Sequence, residues 1–346
     1  MKIVLDAMGS DTHPQPELEA AVQAARLFGD EIILVGQEEL LKPGLEALVG
    51  QGFGKGAVRI VHAPEVLEMT DKPAENARRK AQNSMAIGID LVKAGEAEAF
   101  VTAGNTGGAM ATALFHMGRI RGVKRPGLTG LFPVAGGKWA VLLDIGANAE
   151  CKPEYLLQFA VLGSIYAEKV LGIQNPRIGL LSNGEEAGKG NQLVKDTYPL
   201  LAQSGLNFVG NVEGKEVFGG CADVVVTDGF TGNVVLKASE AVAKLITDIL
   251  RKELTSSLRT KIGALMVKPA FKVIKVMLDP AEVGAAPLLG IDGLVFVGHG
   301  RSDGRSLVSA IRVARQSVES GLLPAMRQAI QERMASLGGV NAGGQE

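Results

Sequence analysis

Seven short segments of the chain pair glycine with asparagine, aspartate, threonine or serine. They are D-A-M-G-S-D at 6–11, T-A-G-N-T-G-G at 102–108 and D-I-G-A-N at 144–148, then N-G-E-E-A-G-K-G-N at 183–191, G-N-V-E-G at 210–214, T-D-G-F-T-G-N at 227–233 and G-H-G at 298–300. Glycine lets backbone N–H groups converge, and a helix N-terminus adds partial positive charge. Such loops suit phosphate or another oxyanion. One Gly-Asn turn says little; seven in series carry the signal. Each follows a short apolar run, so we expect them to gather at one sheet edge and define one site.

Within these loops, Lys189 sits among Gly188, Gly190 and Asn191, where it either offsets anionic charge or faces solvent. His299, between two glycines, is the strongest histidine candidate, and His13 is a weaker one. His62 and His116 read as packing or capping residues. Asp6, Asp144 and Asp228 follow strands and either brace loop N–H groups or position a polar ligand. Cys151 stands near a helix start, a place that can lower a thiol pKa, although a buried small residue is the simpler reading. Cys221 reads as inert.

Several familiar patterns fail. The 184–190 segment has three residues between its glycines and glycine after lysine, so it is no Walker A loop. No G-x-G-x-x-G follows the first strand, no G-x-S-x-G elbow occurs, and no His-Glu-x-x-His or Cys-x-x-Cys suggests zinc.

The elements that must position these loops alternate regularly. Apolar runs at 3–7, 32–35, 58–62, 100–103, 128–132, 140–145, 178–181, 207–212, 224–227 and 294–297 read as strands. Helical patterns follow Pro16 and cover 38–48, 74–93, 107–117 and 153–171. A long helical segment, 233–278, breaks near Lys268-Pro269. This rhythm predicts a parallel-rich sheet covered on both faces. Residues 1–335 read as one α/β unit with a helical excursion at 233–280, and 336–346 as a flexible tail. In the excursion, Leu254, Leu258, Ile262 and Leu265 alternate with Arg and Lys. That pattern suits either a dimer-forming helical pair or an anionic membrane surface.

Composition narrows the classes. Glycine accounts for 45 of 346 residues, nearly double the usual share of about 7%, yet without a collagen period. Hydrophobic residues make up 46%, enough for a core. Aromatics at 4% and balanced charge, 36 Lys+Arg against 37 Asp+Glu, disfavour nucleic-acid binding. Two cysteines point to a reducing compartment. With Asp6 interrupting the first apolar run, the expectation is a cytoplasmic protein.

The motifs D-A-M-G-S-D, T-A-G-N-T-G, D-I-G-A-N-A-E-C-K-P-E, G-E-E-A-G-K-G-N, G-N-V-E-G, D-G-F-T-G-N-V and G-A-A-P-L-L-G together resemble the acyl-ACP:phosphate acyltransferases. They match in order along nearly the whole chain. Ser10, where that family usually has glycine, is a departure, and the basic run 119–125 is another. The resemblance implies reversible transfer of a long-chain acyl group from acyl carrier protein to inorganic phosphate, feeding phospholipid synthesis. It implies a three-layer α/β/α sandwich like that of phosphotransacetylases and isopropylmalate dehydrogenases. It also implies a homodimer, peripheral membrane association, and supply of product to a membrane glycerol-3-phosphate acyltransferase.

Phosphate needs little general-base help, so positioning and N–H donors suffice, and no metal or cofactor is called for. We expect His299, Lys189 and Asn233 to act on the reacting groups. Asp6, Gly9, Asn105, Thr106, Gly107, Asp144, Asn148, Gly188, Asn191, Asp228 and Gly232 are the expected phosphate or oxyanion pocket. Arg119, Arg121, Lys124 and Arg125 are the expected docking cations for the acidic carrier. Three rival readings remain: a phosphotransacetylase-like enzyme using acyl-CoA, a metal- and NAD-dependent decarboxylating dehydrogenase, and a non-catalytic membrane scaffold.

Overall fold

The computed structural model describes residues 1–49, 57–278 and 283–340. In chain order the elements begin β1 (Lys2–Asp6), α1 (Gln15–Phe28), β2 (Glu31–Gly36), α2 (Glu38–Val49), β3 (Val58–His62), α3 (Pro73–Arg79), α4 (Ser84–Lys93), β4 (Ala99–Thr102) and α5 (Thr106–His116). The middle holds β5 (Gly127–Val134), β6 (Lys138–Leu143), α6 (Pro153–Lys169), β7 (Ile178–Leu181), α7 (Gln192–Ala202), β8 (Phe208–Val212), α8 (Gly214–Val217) and β9 (Val224–Val226). Then come α9 (Gly229–Leu254), α10 (Leu258–Leu278), β10 (Ala286–Leu289), β11 (Val295–Val297), α11 (Gly304–Glu319) and α12 (Leu322–Val340).

Successive strand residues point to opposite faces, and here both faces are apolar. Ile3 and Leu5 enter one core cluster while Val4 enters the other. Ile32 and Leu34 oppose Ile33 and Val35, and Val141 and Leu143 oppose Leu142. Two cores on one sheet require helices on both sides, which makes the three-layer α/β/α sandwich.

One eleven-stranded sheet runs β3-β2-β1-β4-β11-β10-β5-β6-β9-β7-β8. The first five strands are mutually parallel, as are the last four. Between them β10 pairs antiparallel with β11 and β5, and β5 antiparallel with β6. The two parallel blocks therefore run in opposite senses along the ladder. The short strand β10 was not expected, because its four-residue A-P-L-L run contains proline. Its Pro287 shows why sequence rules demote such runs.

Three further expectations need correction. The pattern read as one helix over 74–93 is two helices. Asn83 ends the continuity: its side chain accepts from Ala86 N–H at 2.9 Å and donates to the Lys80 carbonyl at 2.6 Å. The excursion turns at 255–257, whereas Pro269 lies inside α10. There the Thr255 hydroxyl bonds the Arg251 carbonyl and the Ser256 hydroxyl the Glu253 carbonyl, both at 2.8 Å, while Ser257 caps the next helix through Thr260 N–H at 3.2 Å. Small hydroxyl residues compete with the helix ladder and favour its ends. Finally, α12 continues to Val340, into the span read as a tail; 341–346 lie outside the described residues.

Candidate active site

The seven loops fall into two sets, one per parallel block, rather than along a single parallel edge. Loops after β1, β4 and β11 belong to the first block; loops after β6, β7, β8 and β9 belong to the second. Sequence periodicity gives strand positions but not the sense of each block, which is why one shared edge was expected.

In the second set, Asp144 is the anchor. It is fully buried, and its carboxylate accepts N–H groups from Leu128, Gly146, Ala147 and Asn148 at 2.7–3.0 Å and the Asn148 amide at 2.8 Å. Burial raises its pKa against these donors. The Asn148 amide also donates to the Pro126 carbonyl at 2.7 Å, and its own carbonyl accepts Gly229 N–H at 2.8 Å. Both side chains are committed to holding the loop. Helix α9 closes on the same turn. A Cβ on Gly232 would lie 1.9 Å from the Asp144 carbonyl oxygen, and one on Gly229 2.7 Å from that of Asn148. Only glycine allows this approach.

Two more expected ligands cap helices. Asp228 receives Thr231 N–H and the Thr231 hydroxyl, each at 2.8 Å, at the start of α9. Asn191 receives Val194 N–H at 3.0 Å at the start of α7. Caps of this kind satisfy the first-turn donors. Beside them lies an open depression of about 410 Å³ lined by Glu150, Cys151, Asn191, Asp228, Phe230 and Thr231. Helices α6, α7 and α9 all begin around it, so their positive ends converge.

Among the described residues, Lys189 and Asn233 are exposed and their side chains make no hydrogen bond or ion pair, as is also true of Asn183, Glu150 and Glu186. Lys189 lies in the loop that leads into Asn191, and its stem runs over Gly184, where a Cβ would come 2.8 Å from its Cγ. Asn233 packs against Gly146, whose φ of +146° suits glycine. Gly188 is exposed with open space around it. Cys151 does not become a thiolate: burial, then Asp144 and Asp228, push its pKa up to about 12. The nearby Arg125 charge opposes that shift, which places a docking candidate next to this loop.

In the first set, the buried Asp6 accepts the Thr102 hydroxyl at 2.6 Å and Met8 N–H at 3.1 Å, and burial raises its pKa. Gly9 packs on the 102–104 turn, where a Cβ would meet Gly104 N at 2.8 Å. Asn105 caps α5 through Gly108 N–H at 2.9 Å and donates to the Met69 carbonyl at 2.9 Å, so its side chain is spent. Gly107 packs against Pro73, and Thr106 is exposed. His299 is exposed, its turn tied to the first loop by Asp11 N–H on the Gly300 carbonyl at 2.8 Å. His13 binds the Ser10 carbonyl at 2.7 Å, His62 caps α2 through Glu38 N–H at 3.3 Å, and His116 pairs with Asp90 at 2.9 Å.

Sequence reasoning missed Glu17. This buried α1 carboxylate accepts Ser10 N–H at 2.9 Å, and burial raises its pKa. Its only signal was Ser10 at a position where glycine was expected.

Arg119, Arg121, Lys124 and Arg125 are all exposed, and the Arg119 guanidinium folds back on the Lys124 carbonyl. On the excursion, Leu258, Ile262 and Leu265 are 79%, 61% and 69% exposed, while Leu254 is partly covered. No helix among the described residues is long and apolar enough to cross a membrane.

Comparison with known proteins gives the chemistry a class. A family model described as fatty acid synthesis protein matches residues 1–324. A phosphate acyltransferase of Pelotomaculum thermopropionicum is 50% identical, over 96% of this chain and 95% of its own length. One from Elusimicrobium minutum is 48% identical over 96% of each. Among solved structures, a phosphotransacetylase from Streptococcus pyogenes superposes with a TM-score of 0.59 at 18% identity, covering 92% of this chain and 94% of that one. A 4-hydroxythreonine-4-phosphate dehydrogenase from Klebsiella pneumoniae gives 0.53 at 13%, covering 91% and 98%. These two similarities establish the fold. A family match across nearly the whole chain, joined to close identity with curated acyltransferases, places the chain in the fatty acid synthesis protein family, as an acyltransferase.

Proposed function

We propose that the chain moves a long-chain acyl group reversibly between the thioester of acyl carrier protein and inorganic phosphate, supplying acyl phosphate for phospholipid synthesis. A phosphate oxygen attacks the thioester carbonyl carbon. The tetrahedral oxyanion collapses, the C–S bond breaks, and the thiolate takes a proton. Lys189 and Asn233 hold the phosphate and the developing charge, helped by the N-termini of α7 and α9. His299 belongs to the other loop set, so in this reading the thiolate takes its proton from solvent. Asp144, Asn148, Asp228, Asn191, Asp6 and Asn105 keep the loops in shape and do not contact phosphate through their side chains.

The observation that carries this reading is the depression at the starts of α6, α7 and α9, lined by Asn191 and Thr231, each two residues along the chain from an exposed polar side chain, Lys189 and Asn233. Preorganised donors of this kind stabilise charge that develops during acyl transfer. The test is to incubate the protein with acyl carrier thioester, with and without phosphate, and trap acyl phosphate as its hydroxamate. Phosphate-dependent hydroxamate is the expected result; none from well-folded protein defeats the assignment. Acyl-CoA as the preferred donor would favour the phosphotransacetylase-like rival.

The remaining proposals concern location and partners. The exposed cations 119–125 dock the acidic carrier beside the site. The apolar residues Val242, Leu245, Ile246 and Ile249 of α9, each at least half exposed, form a homodimer contact. Leu258, Ile262 and Leu265 touch the membrane surface, where a glycerol-3-phosphate acyltransferase would collect the product. Replacing Leu258 and Ile262 with serine should abolish sedimentation with anionic vesicles and leave turnover on soluble substrates intact. Unchanged sedimentation would rule out that contact.

A further inference from the structure

Asn211 lies near the end of β8, in register with Leu180 of β7, and is 7% exposed. Burying an amide costs free energy unless its hydrogen bonds are made, so a buried asparagine at a strand end needs a reason. Its Nδ2 donates to the Glu186 carbonyl at 2.8 Å. The same carbonyl accepts Lys189 N–H at 2.9 Å. Glu186 O is thus the point at which the 183–191 loop is fastened to the sheet, and the fastener holds the turn that carries Lys189.

Two further contacts fix the direction in which Lys189 leaves that turn. Its stem crosses Gly184, where a Cβ would lie 2.8 Å from Cγ. On the far side, Gly190 has a φ of +100° and packs on Val194 of α7. The loop is otherwise exposed from Glu185 to Lys189. Among the described residues its outer tie is the ion pair of Lys215 with Glu185 at 3.3 Å, between groups more than half exposed, and such pairs hold weakly. The buried amide is therefore the stronger restraint.

We infer that Asn211 is a positioning residue for Lys189: by holding the Glu186 carbonyl, it aims the Lys189 ammonium at the phosphate. This rests on the reading of Lys189 given above. Loss of the amide donor should let the turn drift and weaken phosphate capture, while leaving the acyl donor's binding surface untouched. A residue displaced by about 1 Å can lose most of its catalytic value.

The test compares Asn211→Asp, Lys189→Ala and the double variant. Aspartate keeps the shape but cannot donate when ionised. N211D should raise KM for phosphate about tenfold and leave KM for the acyl carrier within about twofold. In the K189A background it should add almost nothing, because both changes remove one interaction. A general structural role would raise both KM values and add in the double variant; that outcome overturns the inference. So does a wild-type phosphate KM in N211D. If K189A itself behaves as wild type, the assignment of Lys189 fails and the inference falls with it, whereas an impaired K189A beside a wild-type N211D overturns the inference alone. Should N211D not fold, Asn211→Ser, which adds no charge, carries the same comparison. Failure of both to fold makes Asn211 a purely structural residue.

Discussion

Asp6 and Asp144 hold matching places in the two parallel blocks, yet they are wired differently. Each is a buried carboxylate at or just past the end of an inner strand, and each shapes a glycine loop. Asp144 gathers five donors, four of them backbone N–H groups. Asp6 has Met8 N–H and the Thr102 hydroxyl, with the Ser84 hydroxyl close by. In the second block the N–H groups of the 146–148 turn point inward to Asp144 and are used up, so in the proposed mechanism the anion is met by Lys189, Asn233 and the helix ends. In the first block no lysine stands within the three loops, and the exposed ionisable side chains there are His299 and Asp11. The pattern separates the groups that brace the loops from those left exposed.

The largest effect should come from Gly232→Ala. Its new Cβ would sit 1.9 Å from a backbone oxygen that has no room to retreat, so a loss of about 3 kcal/mol or more is expected. Gly188→Ala, with nothing within 4 Å, should change stability by less than about 0.5 kcal/mol. Urea denaturation of both variants checks this; equal losses would show that the packing of α9 on the Asp144 turn is not as described.

A middle-sized effect distinguishes buried carboxylates by pH. Burial raises the Asp6 pKa, so the folded state binds its proton more tightly than the unfolded one. That contribution to stability is complete below about pH 3.8 and is lost as pH rises through the folded pKa. Asp6→Asn should therefore gain stability relative to wild type as pH increases above about 4. Asp223 behaves in reverse. Burial opposes its ionisation, but the Arg177 guanidinium, at 2.9 and 3.0 Å, brings its pKa below the usual value. Asp223→Asn should cost about 1–3 kcal/mol at neutral pH, and the cost should shrink as pH falls below about 3.8. Thermal melts of the two variants against pH should diverge in opposite directions; parallel curves would contradict the contrast.

The smallest effect is kinetic. Reversing Arg121 and Arg125 to glutamate should raise KM for the acyl carrier about three- to tenfold at low salt, with KM for phosphate held within twofold. The difference should fade as salt rises.

Much of this architecture was legible from pattern. Strands buried on both sides are continuous apolar runs, and ten of the eleven are visible that way. The eleventh, β10, carries Pro287 where β9 and β11, which are shorter, are unbroken β-branched or aromatic runs. The helix breaks at 80–83 and 255–257 depend on single Asn, Thr and Ser side chains turning back on the backbone, a choice made only in three dimensions. The site was legible as a set of loops, because glycine beside polar residues is a composition signal. Which of those polar residues are free was not. Asn105, Asn148 and Asn191 look identical to Asn233 in sequence, but three are caps or braces and one is exposed. Nor could sequence show the roles of Glu17 or Asn211, which come from backbone groups of preceding loops, Ser10 N–H and the Glu186 carbonyl.

The central claim is that Lys189 and Asn233 meet the phosphate while the buried carboxylates only brace. The most direct measurement is the kcat/KM for phosphate of Lys189→Ala and Asn233→Ala, alongside their melting temperatures. The account predicts a fall of about a hundredfold or more in each, with melting within about 2 °C of wild type. Values of kcat/KM within about twofold of wild type would contradict it.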